Sequence, residues 1–132
     1  MSRLIGLIGS CLVGIYLSEN SDIITSMKLA NIFKALSNEA RLQILEWLKE
    51  PRRHFAEGIY MTEGKGLNID EVGVCVGLIQ QKAGLSQSTI SEYLALLQEA
   101  GLVQARRIGQ WTYYKRNEKA IKDFNQYLIK HL

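Results

Sequence analysis

Cysteine and histidine are scarce in this 132-residue chain, with two of each. Cys11 and Cys75 are too few for a disulfide scaffold and neither belongs to a CxxC pair. His54 and His131 stand outside any ligand motif, so no metal and no other cofactor is expected. No Ser-His-Asp set, carboxylate pair or phosphate-binding loop is visible, which leaves an enzyme as a distant third class of function. A single proline and the lack of any low-complexity tract argue against a disordered chain. The expected compartment is a reducing cytoplasm.

There is also no apolar run long enough to span a bilayer comfortably. Residues 4–17, behind Arg3, are nearly all apolar and match a signal-peptide core in length, but no clear A-x-A site follows. They read as an extra apolar helix, packed on the domain or at a dimer interface, or as an accident of where the reading frame opens. A membrane tether is the weaker alternative. Met27 sits where a compact domain could begin, so residues 1–26 are read as an extension and 27–132 as the domain. Charge of one sign is not in great excess: 16 basic against 13 acidic residues leave +3, and a nucleic-acid reading must rest on where the charge sits.

What is present is concentrated between Val74 and Arg116. Ser86 is a good N-cap, and Ile90, Leu94 and Leu97 behind it recur at i, i+4, i+7, so Ser86 to Ala100 reads as an amphipathic helix ended by Gly101. Opposite that stripe lie Ser88, Ser91, Glu92 and Ala95, with Gln87 and Thr89 at the edges, a small polar face that leaves the backbone approachable. Val76 to Ala83 forms a shorter helix before it, closed by Gly84. After it, Leu102–Arg107 and Trp111–Arg116 flank Ile108-Gly109 as a hairpin. That hairpin carries Arg106, Arg107, Lys115 and Arg116 and no acid. Two helices across a tight turn and then a basic hairpin outline a mainly α winged helix-turn-helix with a small β wing.

On either side the pattern is helical. Ile23, Met27, Ala30, Phe33 and Leu36 define a first helix from Asp22 to about Leu36. Ser37 or Asn38 then caps a second, with Ala40, Ile44, Leu45 and Leu48 inward and Pro51 as its stop. Trp47 reads as packing. Residues 50–73, rich in glycine, read as a long loop inserted in the domain, where Arg52, Arg53 and His54 form a basic cluster. That cluster is either an effector or DNA contact or a solvated insertion. Asn117 caps a last helix to Leu132, whose Ile121, Phe124 and Leu128 either close its own core or meet a second copy.

The run Phe33 to Leu45, FKALSNEARLQIL, resembles the opening of the ArsR-type family of bacterial winged-helix repressors. The run Leu85 to Val103, LSQSTISEYLALLQEAGLV, is similar to that family's recognition helix, and Arg106 to Tyr114 to its wing. The resemblance implies a homodimer paired through its first and last helices, bound to double-stranded DNA and released by a metal, a thiol oxidation or another signal. The DNA-reading surface it implies comprises Ser86, Gln87, Ser88, Thr89, Ser91, Glu92 and Tyr93 with Arg106, Arg107 and Gln110 of the wing. Gln87 is the best base reader, because its amide can bond adenine N6 and N7 together, and Glu92 could accept from cytosine N4.

The sensing chemistry departs from that family. Its arsenic sensors carry Cys-Val-Cys where this chain has Gly73-Val74-Cys75, and the zinc-type D-x-H of its last helix is here Asp123-Phe124-Asn125. Cys75 is then a buried apolar residue, a redox sensor with Cys11 as partner, or a metal ligand. The inducer is not named by any of these residues. The rival function is a winged helix used as a protein-interaction module, or one tethered to a membrane by residues 4–17.

Overall fold

The structure, a computed structural model, describes residues 25–132. The apolar run 4–17, Cys11 and the expected first turn at 22–24 lie outside the described residues. Eight helices and three strands are described: α1 (Ser26–Leu36), α2 (Glu39–Lys49), α3 (Pro51–His54), α4 (Ala56–Glu63), α5 (Ile69–Val72), β1 (Val74–Cys75), α6 (Val76–Ala83), α7 (Gln87–Glu99), β2 (Val103–Ile108), β3 (Trp111–Arg116) and α8 (Glu118–His131).

Side-chain caps set the helix starts. Thr25 accepts from Lys28 N, Asn38 from Arg41 N, Ser86 from Thr89 N and Asn117 from Ala120 N. Each satisfies one donor that the first turn leaves without an intrahelical partner. Asn38 is therefore the cap of α2, while Ser37 closes α1 through its N–H to the Lys34 carbonyl. The main core joins Ile32 and Ala35 of α1, Ile44, Leu45 and Leu48 of α2, Ile79 of α6, Ile90, Leu94 and Leu97 of α7, and Phe124 of α8. Burying an aliphatic side chain of this kind contributes about 1.5–3 kcal/mol, so the α7 stripe anchors that helix firmly.

One expectation is corrected. Residues 50–73 are not a long loop: they fold as α3, α4 and α5. Pro51 ends α2 but also opens α3, because at the first helical position its missing N–H costs nothing. Phe55, Ile69 and Val72 are buried, and Arg52 donates to Asp70 at 2.6 Å and to Glu63 at 2.5 Å, tying α3 to the other two short helices. These local helices bury apolar residues at spacings too short and irregular to register as a periodic stripe.

The expected hairpin forms the wing, and a third, short strand joins it, in the order β1-β3-β2 with antiparallel neighbours. Val74 and Cys75, which directly precede the helix expected and found from Val76, form a strand facing Tyr114 and Tyr113. Gly73 makes this pairing possible. It has φ +94° and ψ −157°, and a Cβ there would collide with the Tyr114 carbonyl oxygen.

Candidate nucleic-acid interface

The turn between α6 and α7 starts from Gly84, which takes φ +68° and donates its N–H to the Gln80 carbonyl at 2.9 Å. Leu85 then turns towards the core, and Ser86 starts α7. The Ser86 hydroxyl donates to Thr89 Oγ1 at 2.9 Å and accepts from Thr89 N at 3.2 Å, with the Ser88 hydroxyl 3.2 Å away. The Gln87 and Ser88 N–H groups, first in the helix, have no intrahelical acceptor. They add to the positive end of the helix dipole, which favours an anion such as phosphate.

The buried stripe Ile90, Leu94 and Leu97 decides which side of α7 is presented to solvent. Gln87, Ser88, Ser91, Glu92 and Ala95 are exposed, and Thr89 is half-buried at the edge. Tyr93 is placed differently. Its hydroxyl lies 3.4 Å from Asn38 Nδ2, which donates to it, and the Arg41 guanidinium sits over its ring. Tyr93 thus joins α7 to the start of α2, with only part of its surface left to solvent.

In the wing, Gly109 takes φ +64° and closes a two-residue turn to Gln110, leaving Arg106, Arg107 and Gln110 exposed. Arg107 Nε donates to the Gly109 carbonyl at 3.2 Å, which holds that guanidinium at the turn. Arg116, counted with the basic hairpin from sequence, is withdrawn. It forms a two-pronged pair with Glu118 at 2.9 and 3.0 Å and donates to the Leu45 carbonyl at 3.4 Å. The exposed helix start and the basic turn therefore belong to one continuous segment, Ser86 to Gln110, pinned by the core on its inner side.

The remaining candidates are also located. Cys75 is buried beside Val72 and Tyr113 in a second small cluster, with Leu67 and Ile108 at its edge. Among the described residues, no group of three or more His, Cys, Asp or Glu could hold a metal ion. No described helix is long and apolar enough to cross a membrane. In the basic cluster of α3, Arg52 has its pKa raised by its hydrogen bond to Asp70, then by that to Glu63, so its charge is already matched.

Sequence reading missed Lys65. Its ammonium lies 4.1 Å from the centroid of Trp111 and 3.4 Å from the Tyr113 hydroxyl. The signal for it was indirect: Trp111 and Tyr113 alternate on one side of β3, and a buried aromatic there requires a cover from elsewhere in the chain.

A helix, a tight turn, an outward-facing polar helix and a basic three-stranded wing together define a winged helix-turn-helix DNA-binding module. Comparison with known proteins takes the assignment further. The model of the family described as bacterial regulatory protein, arsR family, matches residues 74–105. The uncharacterized HTH-type transcriptional regulator YbzH of Bacillus subtilis is 51% identical over 102 residues, covering 77% of this chain and 96% of that protein. The transcriptional repressor SdpR of the same species is 28% identical over 99 residues, with 75% and 87% covered. Among solved structures, the homodimeric winged helix-turn-helix DNA-binding domain Mb0332 of Mycobacterium bovis superposes with a TM-score of 0.55 at 25% identity, covering 93% of this chain and 88% of that one. This chain belongs to the ArsR family of DNA-binding transcriptional regulators, which are not enzymes.

Proposed function

We propose that the protein is a homodimeric repressor that lays α7 in the major groove, N-terminal end first, and sets its wing against the adjacent backbone. The observation that carries this reading is the exposed face of Gln87, Ser88 and Ser91 at the start of α7, next to the exposed Arg106 and Arg107 of the wing, which have no carboxylate partner among the described residues. Gln87 reads a base edge, Ser88, Thr89 and Ser91 bond nearby phosphates and bases, and Arg106, Arg107 and Gln110 hold the backbone or the minor groove. Glu92 accepts from a cytosine. Tyr93 sets the pitch of the helix from behind.

Pairing through α1 and α8 is supported by the apolar surface these helices leave uncovered. Met27 is 75% exposed, Ile129 85% and Leu132 87%, apolar side chains that such pairing would bury. Phe33 and Phe124, edge to face at 5.6 Å, already join the two helices within one chain. The repressor SdpR and the homodimer Mb0332 lend support by likeness. The regulator acts in the cytoplasm and leaves its operator on a signal received elsewhere than at Cys75, which packs in the wing.

Selection of bound duplexes from a random pool tests this reading, followed by sedimentation of the complexes and a reporter fused to the selected site. A two-fold symmetric sequence carrying two chains, whose reporter is silenced by the protein, is the expected result. Met27→Glu combined with Ile129→Glu is expected to give monomers that no longer hold the site. A selected pool without consensus, or one chain per site, overturns the proposal.

A further inference from the structure

The sheet register places two sets of side chains on opposite faces of the wing. Tyr114 pairs with Val74 and Ala105, and its face meets the main core. Tyr113 pairs with Cys75 and Arg106, and Trp111 with Ile108, so these residues share the other face. In a bare hairpin that second face is open to water. Here residues 65–72 of the insertion lie over it, and Tyr113 is 1% exposed as a result.

Lys65 is the part of this cover that reaches the exposed end of the wing. Its ammonium stands over Trp111, the residue directly after the Gly109-Gln110 turn. The contrast with the other cations of the insertion matters. Arg52 is matched by Glu63 and Asp70, and Arg53 lies 3.7 Å from Glu50, whereas no carboxylate pairs with Lys65 among the described residues. An aromatic face positions a cation without neutralising it. The charge of Lys65 is therefore positioned, exposed and without a carboxylate partner among the described residues, on the face of the wing that also carries Arg106.

We propose that Lys65 is a DNA-phosphate contact, held by Trp111 and Tyr113, and that the insertion at 50–73 thereby extends the DNA footprint beyond the helix and wing. This rests on the reading of the wing as the part that meets the DNA backbone. Counterion release supplies the energy: each phosphate neutralised adds about 0.9 to the slope of log affinity against log salt on B-form DNA. The contact is insensitive to sequence, because phosphates are the same at every base pair.

The test uses the full chain and a random-sequence duplex, with binding measured from about 0.05 to 0.2 M salt. Lys65→Met removes the charge but keeps a long side chain with a sulfur that packs well on Trp111, so thermal melting of the variant should match the parent. Its slope is expected to fall by about 0.9, which makes its affinity about 3.5-fold less sensitive across that salt range. Lys65→Arg is expected to keep the parent slope. A steep slope in the parent with the same slope in Lys65→Met overturns this inference and leaves the DNA-binding reading intact. A parent that shows no salt-dependent binding at all overturns both.

Discussion

The guanidinium of Arg41 lies 4.9 Å above the ring of Tyr93, so the DNA-reading helix is steered from the junction of α1 and α2. Arg41 is buried, yet its charge is compensated without a salt bridge being needed. Nε donates to the Ala35 carbonyl at 2.7 Å and Nη2 to the Lys34 carbonyl at 3.1 Å. Those oxygens belong to the last turn of α1, which carries the negative end of the helix dipole, and that of Lys34 also accepts from the N–H and hydroxyl of Ser37.

Arg41→Met should therefore cost about 2–4 kcal/mol, since it strips two carbonyls of charged donors and removes the cation from Tyr93. Tyr93→Phe, which loses only the long hydrogen bond from Asn38, should cost less than about 1 kcal/mol. Urea unfolding of both variants checks the pair. Equal midpoints for Arg41→Met and the parent would show that this junction is not held by Arg41.

Two glycines with positive φ make opposite predictions. Gly73→Ala puts a methyl group into the Tyr114 carbonyl in a backbone region closed to other residues, and a loss of more than about 3 kcal/mol is expected. Gly84→Ala meets nothing within 4 Å and bears only the left-handed penalty, about 1–2 kcal/mol. Thermal melting ranks them, and similar losses would mean that β1 does not pair with β3 as described.

On the proposed interface, Gln87→Ala should relax the choice of base at one position by about 1–3 kcal/mol while leaving the affinity for random duplex nearly unchanged. Arg107→Ala should weaken binding to all sequences alike and lower the salt slope by about one. A binding titration against the selected site, its single-base variants and random duplex distinguishes the two. Loss of base choice in Arg107→Ala with an unchanged slope would reverse the assigned roles.

Cys75 is 6% exposed beneath Leu67 and Val72, so a thiol reagent should reach it only through opening of that cover. Cys75→Ser is expected to cost about 1–3 kcal/mol by placing a hydroxyl in an apolar cluster, and to leave release from DNA by oxidants or metals as it is in the parent. If the serine variant stays bound under an oxidant that frees the parent, Cys75 is a sensor after all.

Much of the fold was legible where local chemistry repeats along the chain. The spacing of Ile90, Leu94 and Leu97 dictates which side of α7 is buried, and with Ser86 as cap it also dictates which side faces out. Gly84 and Gly109 fall where a positive φ is needed, and Asn117 starts α8, because a cap or turn acts within a few residues of itself. Residues 50–73 escaped this kind of reading, since α3, α4 and α5 are each too short to show a period and are held by contacts to one another.

For the recognition helix and wing, then, the sequence by itself determined the elements, their order and the exposed polar face, through propensities that operate over one or two turns. The tertiary structure alone decided what stands behind and beside them. It turned Tyr93 towards Arg41, withdrew Arg116 onto Glu118, made a strand of Val74 and Cys75, and brought Lys65 to the distant Trp111. Each of these depends on side chains far apart in the chain meeting across a packed core, and no local pattern specifies which of them meet.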